Sequence, residues 1–129
     1  MYEQAANAGY RLAQNNLAVL LQNGTKSIPA DIRKAIYWYE KAAETFAPSA
    51  FTLGRIYDVG NMVPQDLEKA AKYYLKAANL GHPQAMFNVG VMYLNGEGVT
   101  KNPQQGINWL QKAAQNGEPN AIAVLQKLQ

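Results

Sequence analysis

The dipeptide Ala-Ala returns along the chain at Ala5-Ala6, Ala42-Ala43, Ala77-Ala78 and Ala113-Ala114, at steps of 37, 35 and 36 residues. The same residue types surround each pair, so one folding unit of that length is written several times. A unit of this size with helical composition buries its apolar face only by stacking on a neighbour. That limits the chain to a row of helix pairs, a solenoid.

Three copies align. The first carries Ala13, Leu17, Ala18, Leu21 and Gly24, then Ile28-Pro29-Ala30-Asp31, Ala35, Trp38, Tyr39, Lys41 and its alanine pair. The second carries Ser49, Leu53, Gly54, Tyr57 and Gly60, then Val63-Pro64-Gln65-Asp66, Ala70, Tyr73, Tyr74 and Lys76. The third carries Ala85, Val89, Gly90, Tyr93 and Gly96, then Val99-Thr100-Lys101-Asn102, Gly106, Trp109, Leu110 and Lys112. The register slips by one residue between Gly24 and Ile28 and again near Phe46-Ala47. Loops absorb such changes at little cost.

Each copy reads as two helices. In the third, Ala85, Val89, Met92 and Tyr93 fall at i, i+4, i+7 and i+8, one buried stripe of a helix over about 83 to 94. Pro83 suits its first turn and Gly96 its stop. The second helix opens at Asp31, Asp66 or Asn102, good N-cap types, and closes past the alanine pair near Gly81 and Gly117. Ala18, Gly54 and Gly90 share one column in mid-helix. Glycine there costs about 1 kcal/mol relative to alanine, so two at one register predict a crossing too close for larger side chains. The bulky column Trp38, Tyr73 and Trp109 is expected to fill the groove between neighbouring helices, as core rather than as a cofactor contact.

These residues resemble the Sel-1-like repeat family, relatives of the tetratricopeptide repeat with a slightly longer unit. The likeness is nearly complete from Ala85 to Gly117, including the loop Gly96-Glu97-Gly98-Val99. The second copy departs at Met62, where the second loop glycine is expected, and at Phe46, where the closing glycine is expected. The first has Ala18 and Leu21 in the Gly and Tyr columns. The resemblance implies an all-α fold: a right-handed α-solenoid of antiparallel helix pairs, TPR-like in its superhelix. It implies one domain over 1–129, with 1–9 the end of a truncated repeat, then repeats at 10–46, 47–81 and 82–117. Residues 118–129 read as a C-terminal capping helix in which Ala121, Leu125 and Leu128 stack and Gln126 replaces the crossing glycine. It also implies a non-catalytic scaffold for a protein or peptide partner, of the kind found among bacterial regulatory, secretion or host-interaction proteins and eukaryotic quality-control adaptors of the endoplasmic reticulum; the short, cysteine-free units favour a bacterial cytoplasm or periplasm, and the compartment stays open.

Composition narrows the alternatives. The 129 residues carry a net charge of +3. Lys34, Lys41, Lys69, Lys72, Lys76 and Lys112 are scattered over second helices among Glu40, Glu44, Asp66 and Glu68, the pattern of a solvated outer face. No arginine-aromatic cluster points to nucleic acid. No run approaches the roughly 18 apolar residues of a membrane span. Cysteine is absent, which excludes the disulfide-clamped form of the family.

Chemistry-bearing residues are few. His82, the sole histidine, sits in a turn with no cysteine or acid cluster beside it, whereas a metal site needs three or four ligands and a triad needs an oriented nucleophile. Some relatives are linked to β-lactam hydrolysis, which gives Ser-x-x-Lys a meaning here. Ser27 is followed by Ile28-Pro29-Ala30 and Ser49 by Ala50-Phe51-Thr52, so neither has its lysine. Gly96 and Gly98 lead into no Gly-Lys-Ser/Thr phosphate loop. No catalytic residue, cofactor or metal is expected. Two alternatives stand beside the scaffold: a hydrolase of a β-lactam or cell-wall substrate, and a spacer that self-associates through the face of Tyr10, Leu12 and Leu17.

In helix-pair solenoids the first helices line the concave side, a long shallow surface suited to an extended peptide. With the buried stripe set aside, one column there is Asn15, Phe51, Phe87 and Ala123, and the next is Asn16, Thr52, Asn88 and Val124. One turn on come Val19, Arg55, Val91 and Lys127. The expected partner-binding set is Asn15, Asn16, Val19, Phe51, Thr52, Arg55, Phe87, Asn88 and Val91. Amides can both donate to and accept from a ligand backbone. The phenylalanines are either apolar anchors or packing between adjacent first helices.

Overall fold

The computed structural model describes residues 10–27 and 29–128. The stretch read as the tail of an earlier repeat, 1–9, lies outside the described residues, as do Ile28 and Gln129. Among the described residues there are seven helices and no strand. They are α1 (Arg11–Asn23), α2 (Ile32–Ala43), α3 (Ala47–Val59), α4 (Leu67–Asn79), α5 (Pro83–Asn95), α6 (Pro103–Gln115) and α7 (Pro119–Leu128). Each packs chiefly on the next. Helices α1 and α2, α3 and α4, and α5 and α6 form pairs, while α2 meets α3, α4 meets α5 and α6 meets α7 at the seams.

One residue type sets the hairpin in every pair. The side chains of Asp31, Asp66 and Asn102 accept from the N–H of Lys34 (3.2 Å), Lys69 (3.1 Å) and Gln105 (3.2 Å), capping α2, α4 and α6. Their own N–H groups donate back to the first helix, to the carbonyls of Leu21 (2.6 Å), Tyr57 (3.0 Å) and Tyr93 (2.9 Å). The cap therefore also ties the two helices of the pair together.

The alanine pairs close the second helices. Ala42, Ala77 and Ala113 are fully buried. After α4, His82 donates to the Ala77 carbonyl (3.1 Å) and Gly81 to that of Ala78 (3.0 Å); after α6, Glu118 and Gly117 repeat this on Ala113 and Ala114 (both 3.0 Å). This double closure needs a left-handed residue, supplied by Gly81 (φ +97°) and Gly117 (φ +87°). Phe46 stands where that glycine is missing. There the N–H groups of Thr45 (3.2 Å) and Phe46 (2.9 Å) both return to Ala42, and the chain passes directly into α3. The slip at Phe46-Ala47 is thus a change of turn, with the helices kept.

The close crossing is present, but a different column fills it. A Cβ on Gly54 would lie 2.5 Å from the Tyr74 ring, and one on Gly90 2.8 Å from Leu110 Cγ. The filling residues are Tyr39, Tyr74 and Leu110, one position past Trp38, Tyr73 and Trp109. A hole that a single Cβ would close has no room for an indole, so Trp38 and Trp109 stay half-buried at the margin. Tyr73 is buried elsewhere: it stacks on Tyr57 (centroids 5.9 Å apart) and donates to Glu40 (2.5 Å).

At the ends, packing is thinner. Tyr10 and Leu12 are 66% and 59% exposed. Ala121 is buried and Leu125 half-buried, but Leu128, in the last turn of α7, is 53% exposed and does not stack as expected.

The loop after α5 depends on Gly98, at φ +72°, where a Cβ would meet the Leu67 carbonyl oxygen at 2.1 Å. Met62, in the matching position, is not left-handed, so the loop after α3 takes another path. Gly117 has the same kind of conformation with nothing near it. Urea denaturation should therefore show Gly98→Ala losing about 2 kcal/mol or more and Gly117→Ala only about 1 kcal/mol. Equal losses would mean that the approach to Leu67 relaxes freely.

Candidate binding site between the first helices

Helices α1, α3 and α5 carry the columns expected to meet a partner. Asn16 and Arg55 are exposed and Val19 is 39% exposed; Asn15, Thr52, Phe87, Asn88 and Val91 are half-buried. Phe51 takes the packing role, the second of the two readings for the phenylalanines. Its ring is buried, stacked on His82 (centroids 4.5 Å, 17°) and tilted against Tyr74 (5.5 Å). It is a wedge between the second and third pairs, with little left for a partner. The position matching His82 one repeat on is Glu118, which offers no ring, and Phe87 stays half-exposed. Asn15 is also partly engaged: its amide oxygen accepts from the hydroxyl of buried Ser49 (2.6 Å). The Thr52 hydroxyl donates to Pro48 within its own helix (2.9 Å).

His82 does more than turn the chain. Its Nδ1 accepts from the Ala85 N–H (3.1 Å), capping α5. Burial pushes its pKa below the ordinary 6.5, against a weaker upward pull from Glu118.

Between the first helices lie two clefts. One, of about 230 Å³ between α1 and α3, is lined by Gln22, Thr52, Arg55, Ile56, Asn61 and Met62, among others. The other, of about 180 Å³ between α3 and α5, is lined by Asp58, Tyr74, Phe87, Asn88, Val91 and Glu97, among others. They are the same place one repeat apart, since Gln22 matches Asp58, Thr52 matches Asn88, Arg55 matches Val91 and Asn61 matches Glu97.

A tyrosine from the second helix braces both. Tyr39 donates to Gln22 Oε1 (2.6 Å) and Tyr74 to Asp58 Oδ2 (3.0 Å). Burial raises the pKa of both phenols. For Tyr74 the Asp58 carboxylate raises it further, while Arg55 and Asn88 act in the opposite direction. Both therefore remain protonated donors at neutral pH. In the third pair Leu94 and Leu110 occupy both positions, an apolar version of the brace. Sequence reasoning missed Tyr39, Tyr74, Asn61 and Glu97 as parts of the site. For the tyrosines the signal was the joint switch from a polar acceptor with a tyrosine, in Gln22 with Tyr39 and Asp58 with Tyr74, to two leucines, Leu94 with Leu110.

The second-helix side differs. Lysine ammonium groups lie over aromatic rings there: Lys69 over Tyr57 (5.2 Å), Lys72 over Tyr73 (5.7 Å) and Lys112 over Trp109 (4.8 Å). A more apolar cleft of about 290 Å³ lies between α4 and α5, bordered by Ala71, Lys72, Leu75 and Tyr93. Among the described residues no three His, Cys, Asp or Glu are grouped to hold a metal, and no helix is long and apolar enough to cross a membrane.

Stacked helix pairs with glycine crossings and repeated hairpin ties define a TPR-like helical-repeat solenoid. The Sel1 repeat description matches residues 11–44, 47–82 and 83–118, and the chain belongs to the Sel1 repeat family. A crystal structure of a Sel1 repeat protein from Oxalobacter formigenes superposes with a TM-score of 0.87 at 31% identity, covering 98% of this chain and 95% of that one. Among curated relatives, chitin synthase regulatory factor 3 of Schizosaccharomyces pombe is 34% identical over 98% of this chain. The ERAD-associated E3 ubiquitin-protein ligase component HRD3B of Arabidopsis thaliana is 32% identical over 78% of it. This chain spans 14% and 16% of those two relatives' own lengths.

Two measurements check the site's internal bonds. Tyr74→Phe removes the donor to half-buried Asp58 and should lower stability by about 1–2 kcal/mol in denaturant titrations. The folded chain holds His82 neutral, so its contribution is complete above 6.5, the ordinary pKa, and is lost as the pH falls from there through the lower folded-state value. Thermal melts should show Tm declining below that pH. His82→Asn puts an amide oxygen in place of Nδ1 as the capping acceptor and does not titrate, so it should flatten the decline; an unchanged slope would place the titration on other groups.

Proposed function

We propose that this array is a non-catalytic scaffold that holds a protein or peptide partner along the concave side formed by α1, α3 and α5. The observation that carries this reading is the pair of equivalent clefts between successive first helices, each with an apolar floor and polar side chains at its rim. An extended segment crossing the first helices meets both in turn. Asn16 offers both amide ends for its backbone and Asn88 the end not turned to Tyr74, while Val19, Phe87 and Val91 offer apolar contact. Asn15, Thr52 and Arg55 complete the surface. Phe51 contributes by holding the second and third pairs at a set distance.

Two further facts support the reading. Three lysines of the second-helix side, Lys69, Lys72 and Lys112, already lie over aromatic rings, so these charges are engaged by that side's own residues. The relatives are named as a regulatory factor and as a component of a ligase, roles met by holding other proteins.

A partner recovered by pull-down from native extract and titrated by calorimetry tests the assignment. Asn88→Ala combined with Arg55→Ala should weaken binding about tenfold or more, and Lys72→Glu should leave it within about twofold. The reverse result would move the partner to the second-helix side.

A further inference from the structure

We infer that the two inner clefts form an oppositely charged pair selecting an extended segment with one acidic and one basic side chain, whose order sets its direction along the array. This rests on the concave-face reading above and adds the chemistry of the partner.

The charges are separated by cleft. The lining between α1 and α3 includes Arg55 and no acid; the lining between α3 and α5 includes Asp58 and Glu97 and no base. Each charge stands where the equivalent position is uncharged: Arg55 against Val91, Asp58 against Gln22, Glu97 against Asn61.

The brace does not require the charge at Asp58. Accepting a hydrogen bond from the second-helix tyrosine is a job that neutral Gln22 does at 2.6 Å in the first pair. A half-buried carboxylate in that place loses hydration that an amide would not lose to the same degree. Tyr74 bonds one oxygen, Oδ2, and a carboxylate has acceptor capacity beyond a single bond with which to meet a cation. Exposed Glu97, whose Oε1 accepts from Asn95 (3.1 Å), adds a second negative charge at the rim.

The floors suit the stems of the same side chains. Phe87, Val91 and Met92 give the acidic cleft an apolar bed for the methylenes of a lysine or arginine whose head meets Asp58. Ile56 and Met62 do the same beneath Arg55 for a shorter acidic side chain. Arg55 and Asp58 stand one turn apart on α3, and Arg55 is near enough to Tyr74 to act on its phenol, so the two fields abut. A segment laid in the reverse direction sets like charges against each other, and that repulsion supplies the selectivity.

The probe is a displayed library of random peptides of about twelve residues, selected on the whole protein. Hits are resynthesised with a fluorophore and measured by anisotropy. Wild type should enrich peptides that carry both a basic and an acidic residue. Asp58→Asn with Glu97→Gln should weaken those peptides about tenfold and abolish the basic preference while keeping the acidic one; Arg55→Gln should do the opposite. All three proteins selecting the same composition would overturn the charge pairing. Val91→Trp, checked for folding by circular dichroism, fills the acidic cleft. If the selected peptides bind it unchanged, the concave-face reading itself fails. If it blocks binding while the charge variants alter nothing, that reading stands and the charge order falls. A library without binders above background counts against both.

Discussion

At the middle of each helix pair a small residue on the first helix, Ala18, Gly54 or Gly90, lies under a large one on the second, Tyr39, Tyr74 or Leu110. The glycines give up helix propensity, and in return the axes come close enough for a ring to lie across the partner's backbone. That approach has a second consequence. A phenol seated there reaches the last turn of the first helix, where it meets Gln22 or Asp58. In the second pair the residue that fills the core, Tyr74, is therefore also a wall of the inner cleft, and there core packing and surface chemistry cannot vary independently.

Between pairs the contacts are of another kind. Buried alanines let the next first helix settle close, and specific polar or aromatic contacts fix its position: Ser49 on Asn15, Phe51 on His82, Tyr73 on Glu40. Each of these reaches only to the adjacent unit, so stability is built from nearest-neighbour terms. The seams are not equivalent. His82 stacks on the ring before it, whereas Glu118 in the matching place has no ring to offer. The second and third pairs are thereby joined by a ring stack at the residue whose neutral Nδ1 also caps α5.

The repeat, the N-caps, the glycine stops and the tight crossing were all legible in the chain, because each rests on local rules: spacing of a stripe, a short oxygen before a helix, a left-handed residue after it. The bulky column Trp38, Tyr73 and Trp109 does pack against the core, but the residues seated over the small column are the next ones along, Tyr39, Tyr74 and Leu110, because the crossing admits a side chain only from that face of the second helix. Leu128 likewise was read as stacked, yet it remains mostly exposed. Of the inner-face set, exposure matched for Asn16, Val19 and Arg55. Phe51 follows the packing reading of the two given for the phenylalanines, although its column does not distinguish it from Phe87; what separates them is the residue 36 positions on from His82.

The sequence by itself determined that this chain is a row of helix pairs of the Sel1 repeat family, because periodicity and capping are encoded within a few residues of where they act. Only the tertiary structure decided which inner-face residues stay open, which tyrosines brace the clefts, and how Arg55 becomes divided from Asp58 and Glu97 into separate hollows. Those outcomes depend on atoms from adjoining repeats meeting across a seam, at distances that no spacing along one chain specifies.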